Sequence, residues 1–134
     1  MTELLAAYYR TSLEDYERAH GLSEQSQSIG NQRKVVMEFL RGSRELSQYP
    51  VIEYVDDGLT GTNIDRPQFQ AMIEAARQGA VTVIVVKDLS RFGRNYLDVG
   101  DYLEHVFPFL GVRIIAINDG YDSAVHNEET AGLH

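Results

Sequence analysis

The sequence predicts an α/β fold: an open, mainly parallel sheet with helices on both faces. Three observations carry this. Short apolar strands alternate with segments of helical period in the order β-α-β-α-β-α-β. The run "AVTVIVVK" (80–87) is almost continuously β-branched, the pattern of a strand covered on both sides. The helical segments are long enough to serve as parallel crossovers.

"ELLAAYYR" (3–10) reads as a buried strand, and the polar, aperiodic "LEDYERAHGLSEQSQS" (13–28) as a loop or excursion. "SIGNQRKVVMEFLRG" (28–42) opens on Ser28 as N-cap and closes at Gly42, with Ile29, Gln32, Val36, Phe39 and Leu40 at helical spacing. "PVIEYVDDG" (50–58) alternates as a strand. "RPQFQAMIEAARQG" (66–79) has proline in its first turn and glycine at its end, and Phe69, Met72, Ile73 and Ala76 form its apolar face. "YLDVGDYLEHVFPFLG" (96–111) is a helix expected to be disturbed near Pro108. "VRIIAIND" (112–119) is the fourth strand. The remainder, "GYDSAVHNEETAGLH", has no period, so the domain is expected over 1–120, with 121–134 as loop or chain end.

The chain has 134 residues, enough for one domain with one real core. It contains no cysteine, which excludes disulfides and thiolate metal sites. The N-terminus lacks the basic flank of a signal peptide, and no apolar stretch approaches a membrane span. A cytoplasmic protein without membrane contact is expected. The net charge of −8 speaks against a free-standing nucleic-acid-coating domain. Yet of the 12 basic residues only Lys34 and Lys87 are lysine. An arginine excess points to placed, bidentate contacts.

In open parallel sheets, ligands bind outside the carboxyl ends of the strands. Arg10 and Ser12 follow the first strand. Asp57, Thr60, Gly61 and Arg66 follow the second, and Ser90, Arg91 and Arg94 the third. Asp119 ends the fourth, and Gln32 lies near the start of a helix on the same rim. Guanidinium groups gathered around one point repel unless an anion sits among them. A serine hydroxyl beside them is a candidate nucleophile, and together they suit phosphoryl transfer through a covalent serine intermediate. His20, His105, His126 and His134 lie in loop, helix or tail, so a serine–histidine–acid arrangement is unsupported. Dinucleotide and nucleotide-triphosphate loops are absent. Asp56, Asp57 and Asp119 offer a seat for Mg²⁺, but the arginines already supply positive charge, and no metal or cofactor is expected.

Plainer readings stand beside these. Ser12 can be a polar strand end. Ser90 can be a rival nucleophile or a turn former. Arg91 and Arg94 can form ion pairs with Asp88, Asp57 or Asp98. Gly93 lets the backbone approach a phosphate or take a positive φ. Two functional classes remain beside a small-molecule phosphoesterase: a DNA strand-transferring enzyme, and a non-catalytic phosphate-binding or regulatory α/β module, flavodoxin-like in wrap. A binding module needs the arginines but has no need of Ser12.

Four segments in order, spanning roughly residues 4 to 120, carry a resemblance. "YYRTS" (8–12) resembles the Y-x-R-x-S signature of the serine recombinases, the resolvase/invertase family. "SIGNQR" (28–33) is similar to their S-x-x-x-Q helix start, "DGLTGTNIDRPQFQAM" (57–72) to their D-x-x-[ST]-G…D-R segment, and "VKDLSRFGRN" (86–95) to their D-R-L-G-R motif. The resemblance implies a resolvase-type catalytic domain that recombines DNA site-specifically. Ser12 would attack a DNA phosphodiester and form a 5′-phosphoserine link. Arg10, Arg91 and Arg94 would grip the phosphate with help from Arg66, and Gln32 and Thr60 would position the backbone. Tyr8 and Asp57 would support them. It implies double-stranded DNA as partner, and a dimer that becomes a tetramer in the synapse for the full-length protein. Ser90 departs from the small resolvases, which carry aspartate there. With the 13–27 insertion it resembles the large transposon- and phage-type members, whose long dimerising helix and C-terminal DNA-binding region are expected to lie outside this chain.

Overall fold

The computed structural model describes residues 3–12, 28–58, 66–93 and 95–125, with Ser12 described in its backbone only. Strand β1 (Leu4–Ser12) leads to helix α1 (Ile29–Arg41), a 3₁₀ turn (Leu46–Gln48) and strand β2 (Val51–Gly58). Helix α2 (Pro67–Arg77), strand β3 (Val81–Val86) and a second 3₁₀ turn (Leu89–Arg91) follow. Helix α3 (Tyr96–Asp101) runs through a π-helical stretch (Tyr102–Val106) into α4 (Phe107–Leu110), then β4 (Arg113–Ala116) and β5 (Tyr121–Asp122).

The sheet order is β2-β1-β3-β4-β5, parallel except for the β4–β5 pair. Strand alternation splits the core in two. Leu5, Ala7 and Tyr9 of β1 join Val83 and Val85 against Val36 and Leu40 of α1. Ala6 and Tyr8 join Ile84 and Val86 against Phe69 and Met72 of α2 and Phe107 of α4. A strand with helices on both faces must be apolar at every position, and β3 is buried at all but Thr82. The expected fold class is therefore the observed one.

Local signals act as their chemistry dictates. The Ser28 hydroxyl accepts the Asn31 N–H at 3.0 Å and caps α1. Gly111 ends α4 in the left-handed region at φ 71°. Pro108 has no N–H to donate within its helix and its ring crowds the preceding turn. The chain responds by widening: Phe107 N–H reaches back to the Tyr102 carbonyl, and the helix is π-wound just before the proline rather than broken.

Three expectations need correction. Residues 121–122 are not loop: β5 pairs antiparallel with β4. Arg113 holds it with Nε and Nη2 on the two oxygens of Asp122 at 3.0 and 2.7 Å. Two residues are too few for a period to announce them. Phe39 is 37% exposed rather than part of the buried face of α1. Gly93 does not take a positive φ; a Cβ there would come within 2.6 Å of the Asp98 Cβ and 3.2 Å of the Val99 nitrogen, so glycine is required by close approach to the start of α3.

Candidate active site

The order β2-β1-β3 places a crossover reversal between β1 and β3, the point where open sheets bind ligands at their carboxyl ends. β1 pairs with β3 only as far as Ala7, while its pairing with β2 continues to Ser12. The last residues of β1 thus project past β3 beside the turn Leu89–Arg91.

Arg10 and Arg91 meet there. Arg91 is 2% exposed; its Nη1 donates to the Arg10 carbonyl at 2.9 Å and its Nη2 to Asp88 Oδ2 at 3.2 Å. Arg10 answers with Nε to the Arg91 carbonyl at 3.2 Å and Nη2 to the Ser90 carbonyl at 2.8 Å. Arg66 Nη1 also donates to the Arg91 carbonyl, at 3.0 Å. Three guanidinium groups therefore converge on one short turn.

Arg66 is the one non-glycine residue of positive φ among the described residues, at φ 52° and ψ 61°. It stands at the N-cap of α2 with its guanidinium 3.9 Å above the Phe69 ring, a cation–π contact. The capping is done by Asp56, which is 1% exposed. Its Oδ1 accepts from Gln68 N–H at 3.0 Å, and its Oδ2 from Phe69 N–H at 2.9 Å and the Tyr8 hydroxyl at 2.8 Å. Negative charge at a helix N-terminus is favourable. Burial, then the hydrogen bond and charge of Asp56, push the Tyr8 phenol well above its ordinary pKa, against the pull of Arg66 and Arg10.

Gln32 is fully buried. Its Oε1 accepts the Arg10 N–H at 3.1 Å and its Nε2 donates to the Arg10 carbonyl at 3.0 Å. The carboxamide thus imitates a neighbouring strand where β3 has turned away. Lys87, 8% exposed, donates to Asn31 Oδ1 at 3.2 Å; burial first, and then the Arg91 charge, lower its pKa.

The structure brings Tyr8, Arg10, Gln32, Arg66, Ser90 and Arg91 together at this rim, with the Ser12 backbone at its edge opposite Gly58. Ser90 is a turn former here: its N–H donates to Asp88 Oδ1 at 3.1 Å, and its hydroxyl bonds to the same oxygen. Asp57 pairs in register with Thr11 on β1. Thr60 and Arg94 lie outside the described residues. Lys87 and Asn31 join the site unannounced by the sequence; Asp88 forms the expected ion pair with Arg91, and Asp56, expected as a candidate metal seat, serves instead as a helix cap. Asp56 caps residues 12 and 13 positions downstream, a link that only the fold supplies. The proposed Mg²⁺ carboxylates are otherwise engaged: Asp56 as above, and Asp119 through Oδ2, which accepts Leu89 N–H at 2.7 Å. Among the described residues no group of three His, Cys, Asp or Glu is placed to hold a metal. A separate apolar cleft of about 370 Å³, between Leu40, Leu46, Tyr49 and Val51, opens at the amino ends of the strands, away from this rim.

No helix among the described residues is long and apolar enough to cross a membrane. No curated protein matches the sequence. Among solved structures, the N-terminal catalytic domain of TP901-1 integrase aligns at TM-score 0.66 and 21% identity, over 98% of this chain and 99% of that one. A resolvase-family site-specific recombinase from Streptococcus pneumoniae aligns at TM-score 0.66 and 26% identity, over 98% and 91%. A serine recombinase from Sulfolobus solfataricus aligns at TM-score 0.58 and 22% identity, over 87% and 69%. The family model of the resolvase N-terminal domain matches residues 5–131, and with the arginine-lined rim at the end of β1 this settles the family: the chain belongs to the resolvases, enzymes of site-specific DNA recombination.

Proposed function

We propose that Ser12 is the nucleophile of this recombinase and double-stranded DNA its substrate. The Ser12 hydroxyl loses its proton and its oxygen bonds to phosphorus. The bond from phosphorus to the 3′-oxygen breaks, and that oxygen takes up a proton. A 5′-phosphoserine link and a free 3′-hydroxyl result, and the reverse step on an exchanged end rejoins the strand. Arg10, Arg66, Arg91 and Arg94 stabilise the charge that grows on the non-bridging oxygens. Gln32 fixes the peptide of Arg10 two residues before the nucleophile. Tyr8, through Asp56, steadies α2 and Arg66. Asp57, Thr60 and Ser90 help to position the substrate. The recombinase acts as a dimer that pairs into a tetramer at synapsis.

One observation carries the reading: Arg10, Arg66 and Arg91 are hydrogen-bonded onto one turn at the rim of the strand that ends in Ser12. The test is covalent capture. The full-length protein is incubated with a library of duplex fragments from its own genome, carrying random nicks, and denatured. DNA that stays bound until protease is added, with a blocked 5′-end and a free 3′-hydroxyl, is the expected result, and its sequence identifies the crossover site. Reversible binding without any protease-sensitive DNA would favour the phosphate-binding module instead.

A further inference from the structure

We propose that Asp88 is a positioning residue for the whole arginine set, acting through the turn Leu89–Arg91; the inference rests on the recombinase reading. The two oxygens of its carboxylate divide the work. Oδ1 caps the turn by accepting from the Ser90 N–H and hydroxyl, with the Asp88 backbone extended at φ −153° and ψ 165°. Oδ2 accepts from Arg91 Nη2 and orients that guanidinium. A cation that is 2% exposed needs a bonded carboxylate to offset its desolvation. Asp119 holds the same turn from the β4 side through Leu89 N–H.

The consequence lies in what rests on the turn. Arg10 is held by the Ser90 and Arg91 carbonyls and Arg66 by the Arg91 carbonyl. A turn that shifts moves three cations at once. Among the described residues Asp88 is hydrogen-bonded to Ser90 and Arg91, within the turn itself. Its effect on cleavage passes through the others.

Asn at 88 separates the two duties. Its carbonyl oxygen can still cap Ser90, since asparagine is as good an N-cap as aspartate. Its amide nitrogen then faces Arg91 Nη2, donor against donor. Asp88→Asn should therefore keep the fold and lose the orientation of Arg91.

Two measurements test this. The first uses no DNA: the Arg91 Nε–H resonance of the ¹⁵N-labelled chain, assigned by its loss in Arg91→Lys, should shift or broaden in Asp88→Asn at a temperature where the variant is still folded, its melting temperature lowered because the buried cation has lost its carboxylate. The second uses the full-length protein on the covalently captured duplex: single-turnover cleavage should slow roughly 10-fold or more, with affinity for the uncleaved duplex unchanged, as expected when an interaction made in the transition state is lost. An unmoved Arg91 resonance overturns the proposal whatever the DNA result. So does wild-type cleavage by Asp88→Asn, or a cleavage loss confined to temperatures where the variant unfolds. Failure of the unsubstituted protein to capture any duplex strikes the recombinase reading itself, and the two failures are thus told apart.

Discussion

Arg10 and Arg91, 81 residues apart in sequence, exchange hydrogen bonds: the Arg91 guanidinium donates to the Arg10 carbonyl at 2.9 Å, and the Arg10 guanidinium donates to the Arg91 carbonyl at 3.2 Å. The pair joins the end of β1 to the turn after β3. Arg91 therefore holds the rim together, and its loss should cost stability as well as the role proposed for it. Lysine keeps the charge but cannot reach both Arg10 and Asp88 with a planar fork. Arg91→Lys should lower unfolding free energy by about 1–3 kcal/mol, the cost of an unmet buried partner. It should also slow cleavage by roughly 10²-fold or more. Denaturant melts and single-turnover cleavage on the same samples check both.

Arg66 holds a left-handed backbone, which costs a side-chain-bearing residue roughly 1–2 kcal/mol and costs glycine little. Glycine and alanine both remove the guanidinium from Phe69 and from the Arg91 carbonyl. Arg66→Gly should therefore be more stable than Arg66→Ala by about 1 kcal/mol, while both cleave equally poorly. Equal melting of the two variants would mean that the left-handed conformation is not kept in solution.

Asp56 satisfies two helix-start N–H groups and the buried Tyr8 hydroxyl. Removing a cap costs about 0.5–2 kcal/mol, and a buried hydroxyl left unsatisfied costs about 1–3 kcal/mol more. Asp56→Ala should be among the most destabilising single changes at this rim. Cleavage should fall too, because Arg66 sits on the helix start that Asp56 fixes. Guanidinium chloride titration gives the first quantity.

Tyr8 gives the alkaline limit. Its folded pKa is raised above the ordinary 10.0. Above about pH 10 the unfolded chain releases this proton and the folded one keeps it, so stability is full below the unfolded pKa and falls as pH rises. Tyr9, raised by burial and by Glu53, adds to the same trend. Tyr8→Phe removes one proton from the balance. The stability advantage of the natural chain over Tyr8→Phe should shrink by about 1.4 kcal/mol between roughly pH 9 and pH 11. A constant difference across that window would show that Tyr8 ionises alike in both states.

The layers were legible because they rest on local chemistry. Alternation in β1, the β-branched run of β3 and the proline start of α2 each act within a few residues, and the carboxyl-end rule then gathers Arg10, Ser12, Arg66 and Arg91 on one rim. What was not legible is long-range. Nothing near Gln32 announces that its carboxamide replaces a strand beside Arg10. Asp57 looked as good as Asp56 until strand register turned Asp56 inward beneath α2. Ser90 and Asp88 could be ranked only once the turn showed which of them accepts the hydrogen bonds. β5 was missed because its pairing is fixed by Arg113 and Asp122, not by a hydrophobic pattern of its own.

The central claim is the nucleophile, and peptide mapping of the captured adduct tests it most directly. After nuclease and trypsin treatment, the account predicts a nucleotide mass on the peptide Thr11–Arg18, "TSLEDYER", at Ser12, and no adduct from Ser12→Ala. The same mass on Asp88–Arg91, "DLSR", or an adduct that persists in Ser12→Ala, would contradict it.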